Sequence, residues 1–159
     1  MSNRLYLPTV LILLVCLAGC QKELVRPEIK NTEVINAPFD DVWRSTIEVI
    51  SDLPGLPIET IEKESGLITT QMTNININDI NEWAVKPSIF LGIWAGGRCK
   101  ISVYTAPVNE STTKLKISTH FEALESYMTK SWHTCYSNGK LEEKLLGLIK
   151  AKLIPITDS

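Results

Sequence analysis

RCKISVYT, residues 98–105, alternates without a break. Cys99, Ile101, Val103 and Thr105 share one side, and Arg98, Lys100, Ser102 and Tyr104 share the other. TTKLKISTHF, residues 112–121, repeats the pattern: Thr113, Leu115, Ile117, Thr119 and Phe121 oppose Lys114, Lys116, Ser118 and His120. A two-residue period is the signature of a strand with one face buried and one in water. Between them lies PVNES, with Pro107 and Asn109 as turn formers. The pair predicts a long antiparallel hairpin at the centre of the fold.

Working outward, Pro57–Met72 holds two β-rich runs around Glu64-Ser65-Gly66, a second hairpin. Residues 31–36 read as a first strand. After Pro38, a helix is predicted from the stripe Phe39, Val42, Trp43, Ile47, Val49 and Ile50, with Asp40 and Asp41 in its first turn. Leu53-Pro54-Gly55 ends it. A last helix follows Ser137 or Asn138 as its cap, with Leu141, Leu145, Leu146, Leu148, Ile149 and Leu153 along one side. Gly147 interrupts it, and a close approach of helix to sheet would account for that residue. Residues 76–97 and 126–136 read as long connections. The order β-α-β-β-β-β-α predicts an α+β domain: an antiparallel sheet curved around the C-terminal helix.

The N-terminus has a different character. Arg4 precedes an apolar run that ends at Ala18-Gly19-Cys20, after which the chain turns charged. This is the plan of a cleaved secretory leader. Residues 5–19 are short for a membrane span, which needs about 20 apolar residues. Leu17-Ala18-Gly19-Cys20 resembles the lipobox of bacterial lipoproteins. The resemblance implies removal of residues 1–19 and lipidation of Cys20, with Gln21 directing the product to the outer membrane. Residues 20–30 would then be a lipidated tether, and 31–155 the domain.

Without Arg4 the chain carries 15 Lys+Arg against 18 Asp+Glu, a charge of −3 that gives no footprint for nucleic acid. An oxidising compartment makes a Cys99–Cys135 disulfide the expectation, against two buried free thiols.

The residues APFDDVW, SGLITT, GGRCKISVY and CYSNGKLEEKLLGLI resemble a helix-grip domain. More narrowly, they are similar to the small lipoproteins grouped with BamC, the lipoprotein of the outer-membrane β-barrel assembly machine. The resemblance covers about residues 31–154. It implies a fold and a periplasmic location, and carries no catalytic residue.

No nucleophile elbow or phosphate loop stands in the sequence, and His120 and His133 lack the short spacing of a zinc site. The expectation is therefore no enzyme, no metal and no cofactor. Two surfaces are candidates for a partner. One is the connection carrying Trp83, Phe90, Leu91, Ile93 and Trp94, with Trp83, Phe90 and Trp94 as the contact residues; the alternative is that it folds back and caps the core. The other is the polar strand face with Arg98, Lys100, Lys114 and Lys116, which could meet anionic lipid heads or an acidic partner; the alternative is an ordinary solvated sheet face. The leading functional expectation is an outer-membrane lipoprotein acting as an accessory or scaffold subunit through protein–protein contacts in the periplasm. The alternative is a carrier or sensor of a small hydrophobic ligand held between sheet and last helix, touched by Thr105, Thr113 and Thr119.

Overall fold

The computed structural model describes residues 27–89, 91–128 and 130–153. In chain order the elements are β1 (Thr32–Ile35), α1 (Phe39–Ser51), β2 (Ile58–Glu62), β3 (Leu67–Thr70), β4 (Thr73–Ile75), α2 (Ile77–Trp83), β5 (Ala84–Val85), β6 (Trp94–Asn109), β7 (Thr112–Glu125), β8 (Ser131–Ser137) and α3 (Lys140–Leu153). The fold is α+β, with one antiparallel eight-stranded sheet and a helix at its C-terminal end.

The central hairpin is β6–β7, in register from Trp94 opposite Glu125 to Asn109 opposite Thr112. Each long strand carries two short ones end to end along its free edge. On β6, β3 covers residues 102–104 and β4 covers 97–99. The Thr70 hydroxyl fills the break between them by accepting the Ile101 N–H at 2.9 Å. On β7, β1 covers residues 113–116 and β8 covers 121–125. The β2–β3 turn needs Gly66, whose φ is +68° and whose absent Cβ would sit 1.8 Å from the Thr105 carbonyl.

Alternation puts Cys99, Ile101, Val103, Leu115, Ile117, Phe121 and Ala123 on one face, all buried. All three helices pack on that face. Helix α1 contributes Val42, Trp43, Val49 and Ile50, with Phe39 stacked on Trp43 at 5.8 Å. Helix α3 contributes Leu141, Leu145, Leu146 and Ile149. Its start is capped by Asn138, whose side-chain oxygen accepts the Lys140 N–H, and by Ser137, which accepts from Gly139.

The structure departs from expectation in four places. Residues 76–97 are not one long connection. Asn76 caps α2 through a capping box with Asp79, so the Asn-Ile alternation there marks a helix start. Ile80 of α2 drops against Gly97, where a Cβ would lie 2.3 Å from it; that close approach seats the helix on the sheet. Residues 131–137 form β8, which pairs with β7 and with β5. Gly147 does not approach the sheet: it is exposed, and an added Cβ would meet nothing within 4 Å. Leu148 also faces outward, while Glu142 is fully buried.

Candidate functional site

The parity that buries Phe121 and Ala123 also buries Glu125, at the end of β7. A carboxylate taken out of water needs strong donors. Among the described residues, backbone groups supply them. One oxygen accepts the N–H of Tyr127 at 2.7 Å, of Met128 at 3.0 Å and of Ile93 at 3.1 Å, and the other accepts from Lys130 at 3.3 Å. Ser126 closes the junction by donating its N–H and hydroxyl to the Ile93 carbonyl at 2.8 and 3.1 Å. Glu125 thus ties the segment before β6 to the β7–β8 turn. Leu91 and Lys130 take left-handed backbone, φ 55° and 49°, which side chains of their type seldom adopt.

Their side chains face water. Leu91 is 64 % exposed, Ile93 56 %, Tyr127 59 % and Met128 56 %. Four large apolar groups at one end of the sheet, on two loops locked to one carboxylate, form an apolar crown. Isolated exposed apolar residues are ordinary, whereas a cluster marks a contact surface.

Of the aromatic residues expected to bind a partner, Trp94 starts β6 next to this crown, whereas Trp83 ends α2, where its carbonyl accepts the Asn138 N–H at 3.0 Å. Trp83 and Trp94 are half-buried and pack against the core, as a segment folded back over it would place them. Trp94 meets the His133 ring edge-on at 5.8 Å, with the Lys86 ammonium 5.7 Å above it. Phe90 lies outside the described residues. The large apolar side chains exposed at this end of the sheet are instead Leu91, Ile93, Tyr127 and Met128. Of these, Tyr127 and Met128 were not singled out in the sequence. The available signal was Glu125 on the apolar parity of its strand, a conflict that only a buried anchoring role resolves.

The second candidate surface is the outer sheet face, on which no helix packs among the described residues. Its cationic stripe divides in two. Arg98 pairs with Glu122 and lies 4.5 Å from the Trp132 ring centre; Lys100 pairs with Glu59 at 2.6 Å. Burial pushes the Glu122 carboxyl up, but hydrogen bonds and charge from Arg98 and His120 outweigh it and hold it below its ordinary value. Lys114 and Lys116 have no ion pair among the described residues. Directly opposite them stand Val34, 55 % exposed, and Tyr104, 47 % exposed, with Val108 nearby.

The expected disulfide is corrected. Cys99 and Cys135 are both free and buried. Each is directly opposite Phe121, one from β6 and the other from β8. They are two strand spacings apart, roughly 9.5 Å, with the phenyl ring's strand between them. A disulfide requires Cα atoms within about 7 Å. Burial pushes the thiols up, Cys99 to about 12 and Cys135 to about 11.

The inner-face hydroxyls are mostly taken. Thr113 donates to the Ala37 carbonyl at 2.9 Å, and Thr119 to Glu142 at 2.6 Å; the Thr105 hydroxyl has no partner among the described residues. Glu142 also accepts from Ser137 at 2.8 Å, which pins the start of α3 to β7 and β8. Among the described residues no three His, Cys, Asp or Glu side chains converge as metal ligands, and no helix is long and apolar enough to cross a membrane. His120 lies on the outer face beside Glu122, and His133 contacts Ser131 at 3.0 Å. Cys20 lies outside the described residues.

Comparison with family models and with curated proteins finds no match to this chain.

Proposed function

We propose that this chain is a non-enzymatic outer-membrane lipoprotein, tethered through Cys20, that serves as an accessory or scaffold subunit by holding an envelope protein against its open sheet face. The observation that supports this reading is the uncovered end of that face. Lys114 and Lys116 stand there without a counter-ion among the described residues, beside exposed Tyr104, Val34 and Val108. An aromatic and aliphatic patch with unneutralised cations suits an acidic protein surface with an apolar centre. Tethering supplies the rest, since confinement to the membrane raises the effective concentration of the domain toward partners there. In this reading the protein contact lies away from Trp83 and Trp94, which pack against the core.

Site-specific photocrosslinking in intact cells, from position 104 and from position 116, tests the assignment. The expected result is one shared protein adduct, lost when Lys114 and Lys116 are both changed to Glu while the thermal midpoint stays put. An adduct that survives the double reversal, or no adduct at either position, would overturn it.

A further inference from the structure

The crown lies at the other end of the β6–β7 hairpin from that patch. We infer that it is a membrane-contact surface: Leu91, Ile93, Tyr127 and Met128 enter the headgroup–acyl boundary of a bilayer, with Lys86 and Lys130 at the level of the lipid phosphates. The inference rests on reading the apolar run through residue 19 as membrane-directed. It holds whether that run is kept or replaced by acyl chains on Cys20, because either way the bilayer meets the chain near residue 20.

Three observations carry it. The first is chemistry. The exposed side chains are two branched aliphatics, a methionine and a tyrosine with an apolar body and polar tip, which suit the bilayer boundary. The acidic group of the turn, Glu125, is turned inward and wholly buried, so it presents no charge to a headgroup layer. Two cations lie beside the crown: Lys130 in the β7–β8 turn, and Lys86, whose ammonium donates to Asn81 and stands 5.7 Å from the ring centre of Trp94, the neighbour of Ile93.

The second is rigidity. Four backbone N–H groups bonded to one carboxylate hold both loops in place, so the backbone from which the apolar side chains project is fixed at the end of the sheet.

The third is the direction and reach of the N-terminal segment. β1 runs antiparallel to β7, with Thr32 opposite Lys116 and the Asn31 carbonyl accepting the Ile117 N–H. Residues 27–31, just ahead of β1, therefore run along β7 in the direction of its crown end. Pro27 and Ile29 line a cavity of about 190 Å³ together with Ser118, Thr119 and His120. Seven residues separate Cys20 from Pro27, a reach of at most about 24 Å. Seven residues also separate His120 from Tyr127, about 24 Å of strand. A bilayer held at residue 20 is thus within touching distance of the crown, while the hairpin turn at residues 110–111 points away into solvent.

The test uses the full chain extracted from membranes in detergent and returned to phosphatidylethanolamine–phosphatidylglycerol vesicles. Met128→Cys and, at the far turn, Ser111→Cys each receive an environment-sensitive fluorophore in a Cys16→Ser background; buried Cys99 and Cys135 stay unlabelled in the native state, and the signal of the same background without an added cysteine, which reports any label on a non-acylated Cys20, is subtracted from both. Nitroxide lipids should quench the probe at 128 at least about twofold more than at 111, with a blue-shifted emission. Mass spectrometry reports separately whether Cys20 is acylated. Vesicle flotation without acylation, but with quenching at 128, removes the lipobox reading and leaves the membrane-contact surface standing. Equal aqueous exposure of both probes on floating protein overturns it, as does failure of the protein to float.

Discussion

Glu125 and Ile93 are 32 residues apart in the chain and joined by a 3.1 Å hydrogen bond from the Ile93 N–H to the buried carboxylate. That bond links the two loops of the crown, and three further N–H groups share the same acceptor. Changing Glu125→Gln keeps the shape but turns one oxygen into an NH₂ group facing donors. Hydrogen bonds to a charged group are worth roughly 1.5–3 kcal/mol each, and a buried donor left unpaired costs about as much. Urea unfolding of Glu125→Gln should show a loss of about 2–4 kcal/mol. Exposed Tyr127→Ser should stay within about 0.5 kcal/mol of the parent. Equal effects from the two would mean that the carboxylate does not organise the loops.

The position of Phe121 between the cysteines makes a redox prediction. Cys99 and Cys135 should react with iodoacetamide only after unfolding. With the thiols raised to about 12 and about 11, the reactive thiolate at pH 8 is on the order of 10⁻³ or less of each group, before burial restricts access. A reducing agent should leave the thermal midpoint unchanged. A midpoint that falls on reduction would require a bridge the strand register forbids.

Much of the fold was legible because its centre is simple. RCKISVYT and TTKLKISTHF each have one face in water, so a two-residue period survives in the sequence. The helices were legible through Val42, Val49, Leu141, Leu145 and Ile149, which repeat at helical spacing. Residues 73–85 were not, because three short elements follow one another and Asn76 belongs to a cap rather than a strand. β8 was missed because SWHTCYS buries only Cys135 among its seven residues, leaving no apolar face to count. The disulfide failed for a related reason: redox logic supplies a pair of thiols but not the strand between them. The candidate surfaces were half legible. The cations of the outer face were evident, but which were neutralised depended on Glu59 and Glu122, brought in from other strands.

The Arg98–Glu122 pair carries a pH signature. The Glu122 carboxyl is held below its ordinary value in the folded protein, so its contribution is complete above the unfolded value, about 4.3, and is lost as pH falls through the folded one. Arg98→Met keeps an apolar stem against Trp132 and removes the charge. The variant should be less stable by about 0.5–1 kcal/mol at pH 7, the range of partly exposed pairs. That gap should close as the pH drops below about 4. Thermal melts across pH 3–7 measure it, and a constant gap would place the whole effect in packing on Trp132.

The Thr105 hydroxyl is buried without a hydrogen-bond partner among the described residues. Replacement by an apolar group of the same shape removes an unmet donor at little steric cost. Thr105→Val should therefore raise stability by about 1 kcal/mol, read as a higher midpoint in urea with an unchanged slope. A loss of stability would show that the hydroxyl has a partner in solution, and would revive the inner face as a place for a polar ligand group.

Gly147 stands in the middle of α3 with its Cβ direction open to water, beside a depression of about 480 Å³ lined by Ile29, Lys30, Glu33 and Lys150. Glycine there lowers helix stability by about 0.5–1 kcal/mol against alanine, through the backbone freedom it loses on folding. No contact in the structure offsets that loss. Gly147→Ala should therefore gain about that amount, raising the thermal midpoint by roughly 2–5 °C for a domain of this size. The same change at Gly97, whose Cβ would meet Ile80 at 2.3 Å, should do the reverse and loosen α2. Opposite signs at the two glycines would separate a helix position filled without structural need from one that seats a neighbouring element. A fall in midpoint at both would mean that the depression beside α3 is filled in solution by a group that a methyl displaces.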